Sequence, residues 1–296
     1  MNVFRKVGSK AWFNYILLVT GIICISWSAI LVKIAGISGF GSGFYRLLFG
    51  TLAILPFWLY YRKPLQNWQG VKVAIICGIL FGFDIALWNS SIMLSKASIS
   101  TLLANLAPVW VGLGMLLFTR ERPGKLFWPG TLVAMVGVAL VIGIEELLNF
   151  EFSTGNSLAI GASMFYGAYL LTVRQGRNTL DTLSFTTISM ISSTVVLGVI
   201  SLATATPLVG FSATTWWALL ALGIVPQVVG WLTINHALGH IKPTAASVSL
   251  LSQTVFTALF SVPVLGELLT PMELIGGVVI LGGIFLVNFK STRNNC

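Results

Sequence analysis

Charged residues are scarce in this chain of 296 residues. They make up 8% of the sequence, whereas hydrophobic residues make up 56% and the mean hydropathy is +0.92. Soluble domains carry about 25% charged residues, so this composition excludes an ordinary soluble fold. Apolar runs of about 20 residues have the length that a helix needs to cross a ~30 Å hydrocarbon core. We therefore expect an all-α integral membrane protein.

Cysteine and histidine are also rare, with three and two residues respectively. Cys24 and Cys77 fall inside apolar runs, so no disulfide framework is expected. His236 and His240 have a metal-ligand spacing on a helix, but no HExxH glutamate and no third ligand lie nearby. Walker, dinucleotide-binding and haem motifs are absent as well. The sequence predicts neither a metal site nor a cofactor, and an enzyme is not the expected class.

The net charge of +9 would suit a nucleic-acid-binding protein only if the basic residues formed one surface. Instead they lie in short segments between apolar runs, a distribution that sets membrane orientation. With the amino terminus inside, all Lys and Arg residues except Lys33, Arg46 and Lys96 fall on the inner side. We expect a multi-pass protein of a bacterial-type cytoplasmic (inner) membrane with both termini cytoplasmic. Nucleic acid is not an expected partner.

Ten apolar runs are candidates for membrane spans, although the sixth is short. The first follows basic residues, as in a signal peptide, but it lacks a small-residue cleavage site and is expected to be a retained helix. The predicted spans are 14–35, 42–61, 71–93, 98–118, 126–144, 157–173, 182–205, 214–238, 245–262 and 271–289.

The second half of the chain repeats the first at an offset of 146 residues. Chance explains apolar matches in such a composition, but it does not readily explain matching polar residues. The aligned identical pairs include Asn89 with Asn235, Lys96 with Lys242, Glu121 with Glu267, Gly130 with Gly276, and Gly137 with Gly283. We predict two five-helix repeats, residues 1–147 and 148–296. Because five is odd, the second repeat is inverted, as in many secondary transporters.

The segments 95–142 and 241–287 carry a family resemblance. Each has a small-residue helix start, a Glu at the next turn and a Gly-rich last helix, and the first segment adds Pro108 within a helix. The chain resembles the EamA-like family of the drug/metabolite transporter superfamily over essentially its whole length. Thr254 stands where the second proline would fall, which weakens the expectation that both halves bend alike.

The resemblance implies a ten-helix carrier. Spans one to four and six to nine would line a central cavity, and spans five and ten would pack outside it. Substrates of the family include amino acids and their derivatives, purines, vitamins, nucleotide sugars and lipophilic cations. The shared motif residues do not choose among these substrates.

Asp84 is the acidic residue that we place deep inside a span. A central charge costs roughly 2.5 to 3.5 kcal/mol on insertion scales, so a functional role facing the bundle interior is the default expectation. Asp84 would take up a proton, which makes protons a candidate coupling ion, or it would bind a cationic substrate group. The alternative is a structural ion pair with Arg46 or Lys33. A pair that breaks during transport would act as a gate.

Helical spacing divides the third span into two faces. Asp84, Trp88 and Ser91 share one stripe, whereas Gly78 and Gly82 form a small-residue pair on another face that suits close helix packing. The third span is therefore expected to line a cavity with one face and to pack with the other.

The eighth span carries a second polar stripe formed by Gln227, Trp231 and Asn235, each four residues apart. Pro226 removes a backbone hydrogen bond beside it, so a kink is expected there. Deep aromatic residues in other spans favour a substrate with apolar or planar parts, although packing explains such residues equally well. The candidate substrate-binding residues are Trp27, Asp84, Trp88, Asn89, Trp110, Tyr166, Gln227, Trp231, Asn235 and Gln253, and the candidate coupling or gating residues are Asp84, Arg46 and Lys33.

These observations predict a secondary transporter that works by alternating access. It would move a small organic metabolite or amphiphile, with an amino acid or a derivative as the first choice; the resemblance alone implies export. The alternatives are an intramembrane enzyme acting on a lipid-like substrate, a channel, and a facilitator of nucleoside, vitamin or lipophilic-cation flux. The expected partners are a small-molecule substrate and the lipid bilayer, and the chain would act as a monomer or a homodimer.

Overall fold

The computed structural model describes residues 2–61, 67–95, 97–119, 121–143, 153–266 and 269–289. Within these ranges the chain forms helices joined by short turns, and no strand occurs among them. The α-helices are α1 (Asn2–Ala35), α2 (Gly39–Tyr61), α3 (Trp68–Leu94), α4 (Ala97–Ala104), α5 (Ala107–Phe118), α6 (Phe127–Ile142), α7 (Thr154–Arg177), α8 (Thr182–Ala203), α9 (Ala213–Leu222), α10 (Trp231–Leu238), α11 (Pro243–Leu250), α12 (Gln253–Leu265) and α13 (Pro271–Phe289), with a π-helical segment (Gly223–Gly230) between α9 and α10.

Eight helical stretches in this part of the chain are long and apolar enough to cross a membrane. The apolar helix α6 is shorter, and α7 is more polar at both ends. Together they lie at the ten predicted spans, which confirms the all-α membrane class. The fourth span comprises α4 and α5, the eighth comprises α9, the π-segment and α10, and the ninth comprises α11 and α12. Lys96 and Glu267, aligned in the sequence repeat, lie outside the described residues.

The sixth span is longer than its predicted range of 157–173. Its helix α7 begins at Thr154 because the Ser153 hydroxyl accepts a hydrogen bond from the Asn156 amide at 3.2 Å. It ends at Arg177, and basic residues in a last helical turn are favoured by the helix dipole. Hydropathy alone missed both ends because these residues are polar.

The fourth and ninth spans are both interrupted, although the lack of a second proline had weakened the expectation that the two halves bend alike. Helix α4 ends at Ala104 and α5 begins at Ala107, while α11 ends at Leu250 and α12 begins at Gln253. These two breaks coincide at the offset of 146 residues. The second break needs no proline, because serine side chains of this span bond to backbone carbonyls three or four residues earlier. Such bonds bend helices.

The eighth span widens into the π-segment, where a kink was predicted. Pro226 lies inside this segment, and a residue without a backbone N–H cannot continue the ordinary hydrogen-bond ladder. Glycines at the two ends of the segment permit close neighbours. A Cβ atom on Gly223 would lie 2.9 Å from the Gly50 amide, and one on Gly230 would lie 2.8 Å from Ile25.

The third span packs closely against the seventh through its glycine face, as predicted. A Cβ atom on Gly78 would lie 2.3 Å from the Ser189 carbonyl oxygen, and one on Gly82 would lie 2.9 Å from Val196. The Ser193 hydroxyl donates a hydrogen bond to the Gly78 carbonyl at 2.7 Å. This contact fixes the rotation of the third span and turns its opposite face towards the interior.

The fifth and tenth spans pack against each other through four glycines. Gly130 of α6 approaches Gly283 of α13, and Gly137 of α6 approaches Gly276 of α13. Each carbonyl oxygen lies 2.8 Å or less from the position that a Cβ atom would take on the facing glycine. Larger side chains at these positions would force the two helices apart.

Candidate functional site

A cavity of about 470 Å³ lies among the helices, a volume within the range of small-molecule sites. At one end its lining reaches the exposed Lys33 and, on the tenth span, Glu273; we call this end the mouth. At the other end the lining stops at Phe81, Tyr166 and Trp231, which we call the floor. Described lining residues come from the fifth and tenth spans near the mouth but not from the seventh span, which differs from the lining that the resemblance implied.

Asp84 and Arg46 both line this cavity and carry opposite charges. The two side chains interact electrostatically. Among the described residues, however, the Asp84 carboxylate has no hydrogen bond and no ion pair within 4.0 Å. The simple structural ion pair considered as an alternative is therefore not formed in this conformation. Two opposite charges face the same space without closing on each other.

Gln227 fixes the orientation of Arg46. The Arg46 Nε–H donates a hydrogen bond to Gln227 Oε1 at 2.7 Å, and Gln227 is almost fully buried in the π-segment, with 1% of its surface exposed. This bond uses one N–H of the guanidinium. The group has five N–H donors in total, so four are left for other partners.

The three aromatic side chains of the floor pack together with Tyr169 behind them. The ring centroids of Phe81 and Trp231 are 4.7 Å apart, those of Tyr169 and Trp231 are 5.4 Å apart, and those of Tyr166 and Trp231 are 6.1 Å apart. These separations are typical of favourable aromatic pairs. The cluster closes the cavity with a rigid, largely apolar surface from the third, sixth and eighth spans.

Beyond the floor, polar side chains tie the helices together at the end opposite the mouth. The Tyr169 hydroxyl donates a hydrogen bond to Asn235 Oδ1 at 2.7 Å, and Asn235 Nδ2 donates to Thr186 Oγ1 at 3.2 Å. Farther out, Arg174 forms an ion pair with Glu121 at 3.1 Å. These contacts join the sixth, seventh and eighth spans, and they join the sixth span to the segment that follows α5, at the end opposite the mouth.

Several donors around the cavity have no partner. The buried Trp231 indole N–H, the Asn105 amide nitrogen and the Ser28 hydroxyl belong to lining residues, and none of these atoms forms a hydrogen bond. Buried polar groups are paired in nearly all native structures. Unpaired donors at a cavity are therefore suited to acceptor groups on a ligand.

The structure brings together eight of the twelve side chains that the sequence singled out. The lining includes Lys33, Arg46, Asp84, Trp88, Asn89, Tyr166, Trp231 and Gln253. Asn89 also donates a hydrogen bond to the Gly39 carbonyl at 2.6 Å, so part of its polar capacity serves helix packing.

The other four candidates lie behind the lining. Trp27 stacks on Phe260 with centroids 4.9 Å apart, and the Trp110 indole donates to Ser163 at 2.8 Å. Gln227 contacts Arg46, and Asn235 belongs to the network beyond the floor. Each of the four makes a contact within the protein, and none of them is among the residues that line the cavity in this conformation.

Sequence reasoning missed Phe81 and gave Ser28 no role. Phe81 precedes Asp84 by three residues, a spacing that places both on one side of a helix, so the signal was available for Phe81. Ser28 is an ordinary serine in an apolar span and gave no such signal. The mouth residue Glu273 also escaped notice, because it lies in a span assigned to the outside of the bundle.

His236 and His240 lie beyond the floor and stack with ring centroids 4.8 Å apart. His236 Nδ1 lies 3.1 Å from the Thr182 hydroxyl. Within the described ranges no group of three or more His, Cys, Asp or Glu side chains is arranged to hold a metal ion.

The fold is that of a multi-pass membrane protein with an internal cavity, and comparison with known proteins identifies its family. A family model described as the EamA-like transporter family matches residues 12–143 and again residues 153–289. The chain therefore belongs to the EamA-like transporter family and is a multi-pass membrane protein.

Its relatives are also described as transporters. The uncharacterized transporter YdfC of Bacillus subtilis (strain 168) is 24% identical over 267 residues, which cover 88% of this chain and 86% of the relative. An uncharacterized transporter of Archaeoglobus fulgidus is 25% identical over 295 residues, covering 94% of this chain and 98% of the relative. The S-adenosylmethionine uptake transporter of Rickettsia conorii is 25% identical over 107 residues, covering 36% of this chain and 35% of the relative.

A solved crystal structure has the same fold. It superposes with a TM-score of 0.81 at 19% sequence identity, covering 96% of this chain and 99% of that chain. At this level of identity the likeness concerns the fold alone.

Proposed function

We propose that this protein is a secondary transporter that moves a small organic metabolite or amphiphile by alternating access, with an amino acid or a derivative as the preferred class. The observation that carries the proposal is the cavity that joins the mouth to the floor. Its deep part holds the Asp84 carboxylate and the Arg46 guanidinium beside aromatic walls. A closed floor beneath an accessible cavity suits a carrier, whereas a channel requires a continuous polar path.

The two predicted repeats, 1–147 and 148–296, supply the moving parts of this proposal. Equivalent positions at the offset of 146 residues contact each other reciprocally: Gly130 faces Gly283, the equivalent of Gly137, and Gly137 faces Gly276, the equivalent of Gly130. Such reciprocity is characteristic of a two-fold relation. It supports two inverted halves that exchange conformations around the central cavity.

The orientation in the proposal follows from the basic residues. If the protein lies in an inner membrane with both termini on the cytoplasmic side, the mouth faces away from the cytoplasm and the floor faces towards it. The structure then corresponds to an outward-facing state, from which an exporter would release its substrate. Asp84 is the proposed coupling residue, with protons as the coupling ion, and Arg46 and Lys33 are the proposed gating partners.

The relatives favour an amino-acid derivative among the possible substrates. The Rickettsia conorii relative is an S-adenosylmethionine uptake transporter by name, and S-adenosylmethionine joins an amino-acid head to a planar adenine. A site with two opposite charges beside aromatic walls would suit such a molecule. This reasoning places amino-acid derivatives ahead of nucleosides, vitamins and lipophilic cations.

The proposal is tested with the full chain in proteoliposomes. Uptake of amino acids, S-adenosylmethionine, purines and lipophilic cations would be measured with and without an imposed pH gradient. We expect protein-dependent uptake of at least one organic solute that saturates with concentration and responds to the gradient. If none of these compounds were taken up and an added lipid were chemically converted, the transporter proposal would be wrong and an intramembrane enzyme would be favoured.

A further inference from the structure

We infer that the cavity recognises its substrate as a zwitterion, through Asp84 for the ammonium and Arg46 for the carboxylate of an α-amino acid with an apolar or planar side chain. The inference rests on the proposed function and specifies how the central site would select its substrate. It specifies the cationic group that Asp84 would bind, and it assigns a binding role to Arg46, which was considered only for coupling or gating.

The balance of charge in the deep part of the cavity carries the inference. One carboxylate and one guanidinium face the same space, and neither closes on the other within ion-pair distance. A substrate that carries only a positive charge would pair with Asp84 but would be repelled by Arg46. A substrate that carries only a negative charge would pair with Arg46 but would be repelled by Asp84. Only a ligand that carries both a positive and a negative charge pairs with both groups, so a zwitterion is electrostatically complementary to this site.

Gln227 explains why the two charges stay apart. Its Oε1 atom holds Arg46 Nε at 2.7 Å, and its own side chain is almost completely enclosed in the π-segment. The remaining guanidinium N–H groups are free to bind a carboxylate, for which their planar arrangement is well matched. Gln227 is thus a positioning residue that acts on the substrate through Arg46.

The surroundings of the charges fit the rest of such a molecule. The floor offers the rings of Phe81, Tyr166 and Trp231 to an apolar or planar side chain. The Trp231 indole N–H is buried and has no partner, so it supplies a further donor to an acceptor group of the substrate. A cavity of about 470 Å³ has room for a molecule of this size.

The test uses matched sets of three compounds with the same side chain. L-Phenylalanine, phenethylamine and 3-phenylpropionate form one set; L-leucine, isoamylamine and 4-methylvalerate form another. Binding to the full-length protein in detergent would be measured by isothermal titration calorimetry. We expect at least one of the two amino acids to bind about tenfold or more tightly than both its amine and its acid, since each of these leaves one buried charge unpaired.

Three variants assign the two ends of the substrate. Asp84→Asn is expected to weaken binding of the amine and the amino acid but not of the acid. Arg46→Gln is expected to weaken binding of the acid and the amino acid but not of the amine. Gln227→Leu is expected to have the same effect to a smaller extent, because it removes the hydrogen bond that orients the guanidinium. Lys125→Gln is the matched control, since Lys125 is exposed and lies outside the cavity.

The wild-type comparison decides the inference even if a variant fails to fold. Tighter binding of the amines, equal binding within each set, or binding of none of the compounds would overturn it. These results would contradict the zwitterion site without contradicting the proposed transport function. An organic cation or a purine that is taken up into proteoliposomes without any preference for zwitterions would overturn the zwitterion site and leave the carrier intact.

Discussion

Asp84 and its neighbours show what helical spacing predicts about a single residue and what it does not predict. The spacing placed Asp84, Trp88 and Ser91 on one face of the third span, and the first two line the cavity. Ser91 instead is fully buried, and its hydroxyl donates to Ser100 at 2.6 Å. A periodic pattern fixes the direction of a side chain relative to its own helix. It does not show where along that face a neighbouring helix covers it.

The two aligned asparagines make the same point. Asn89 lies beside the cavity, whereas Asn235 bonds to Tyr169 and Thr186 beyond the floor. Equivalent positions in a repeat share a backbone environment but not their partners. The hydrogen bond between Arg46 and Gln227 was likewise beyond prediction, because it joins residues 181 positions apart.

The proposed coupling role of Asp84 leads to a prediction at the residue scale. Replacement of Asp84 by Asn keeps the shape of the side chain and removes the group that would gain and lose a proton. We expect Asp84→Asn to abolish accumulation driven by a pH gradient and to retain exchange of substrate across the membrane at substrate concentrations high enough to offset its weaker binding. The measurement is uptake and counterflow in proteoliposomes, with Lys125→Gln as the control. Undiminished accumulation in Asp84→Asn would remove this residue from the coupling mechanism.

At the scale of the element, the positions of the spans were predictable and their interruptions were only partly so. Runs of apolar residues located each span because the bilayer fixes their length. Pro108 marked the break in the fourth span, and Pro226 marked the disturbed part of the eighth. The break between Leu250 and Gln253 had no such mark, because hydrogen bonds from serine side chains to the backbone are not visible in hydropathy.

Glycine packing leads to a prediction at this scale. A Cβ atom at Gly78 would lie 2.3 Å from a backbone oxygen of the seventh span, whereas one at Gly282 meets no atom within 4 Å. Gly78→Ala should therefore destabilise the fold by about 1 to 3 kcal/mol through overpacking. Gly282→Ala should be neutral or slightly stabilising, because alanine suits a helix better than glycine does.

Thermal unfolding of both variants in detergent would test this contrast. We expect a lower Tm for Gly78→Ala and an unchanged or higher Tm for Gly282→Ala. If Gly78→Ala were as stable as the wild type, the close contact between the third and seventh spans would be wrong.

At the scale of the whole molecule, membership of the EamA-like transporter family joins two kinds of observation. The matches of the family model to residues 12–143 and 153–289 lie close to the proposed repeats of 1–147 and 148–296. The breaks in the fourth and ninth spans are equivalent at the same offset, as are the reciprocal glycine contacts. The charges do not follow this symmetry, since Gly230 stands at the position equivalent to Asp84. The proposed carrier thus combines a symmetric scaffold with an asymmetric binding site.

Alternating access is the central claim, and it is tested most directly by the accessibility of each end of the path. Ala258 lines the cavity, and Ala237 is fully buried beyond the floor. Each would be replaced by Cys in turn, Ala258→Cys and Ala237→Cys, in a chain lacking Cys24, Cys77 and Cys296. A membrane-impermeant thiol reagent would then be added to one or the other side of proteoliposomes.

The rates of labelling would be measured with and without an amino acid. The amino acid would be whichever of L-leucine and L-phenylalanine binds more tightly. Without the amino acid, we predict that the cysteine at position 258 reacts from the side of the mouth and that the one at position 237 is protected. With the amino acid, labelling at position 258 should slow while labelling at position 237 from the opposite side rises. Simultaneous labelling of both positions, as in a channel, or rates that the amino acid leaves unchanged would contradict the account.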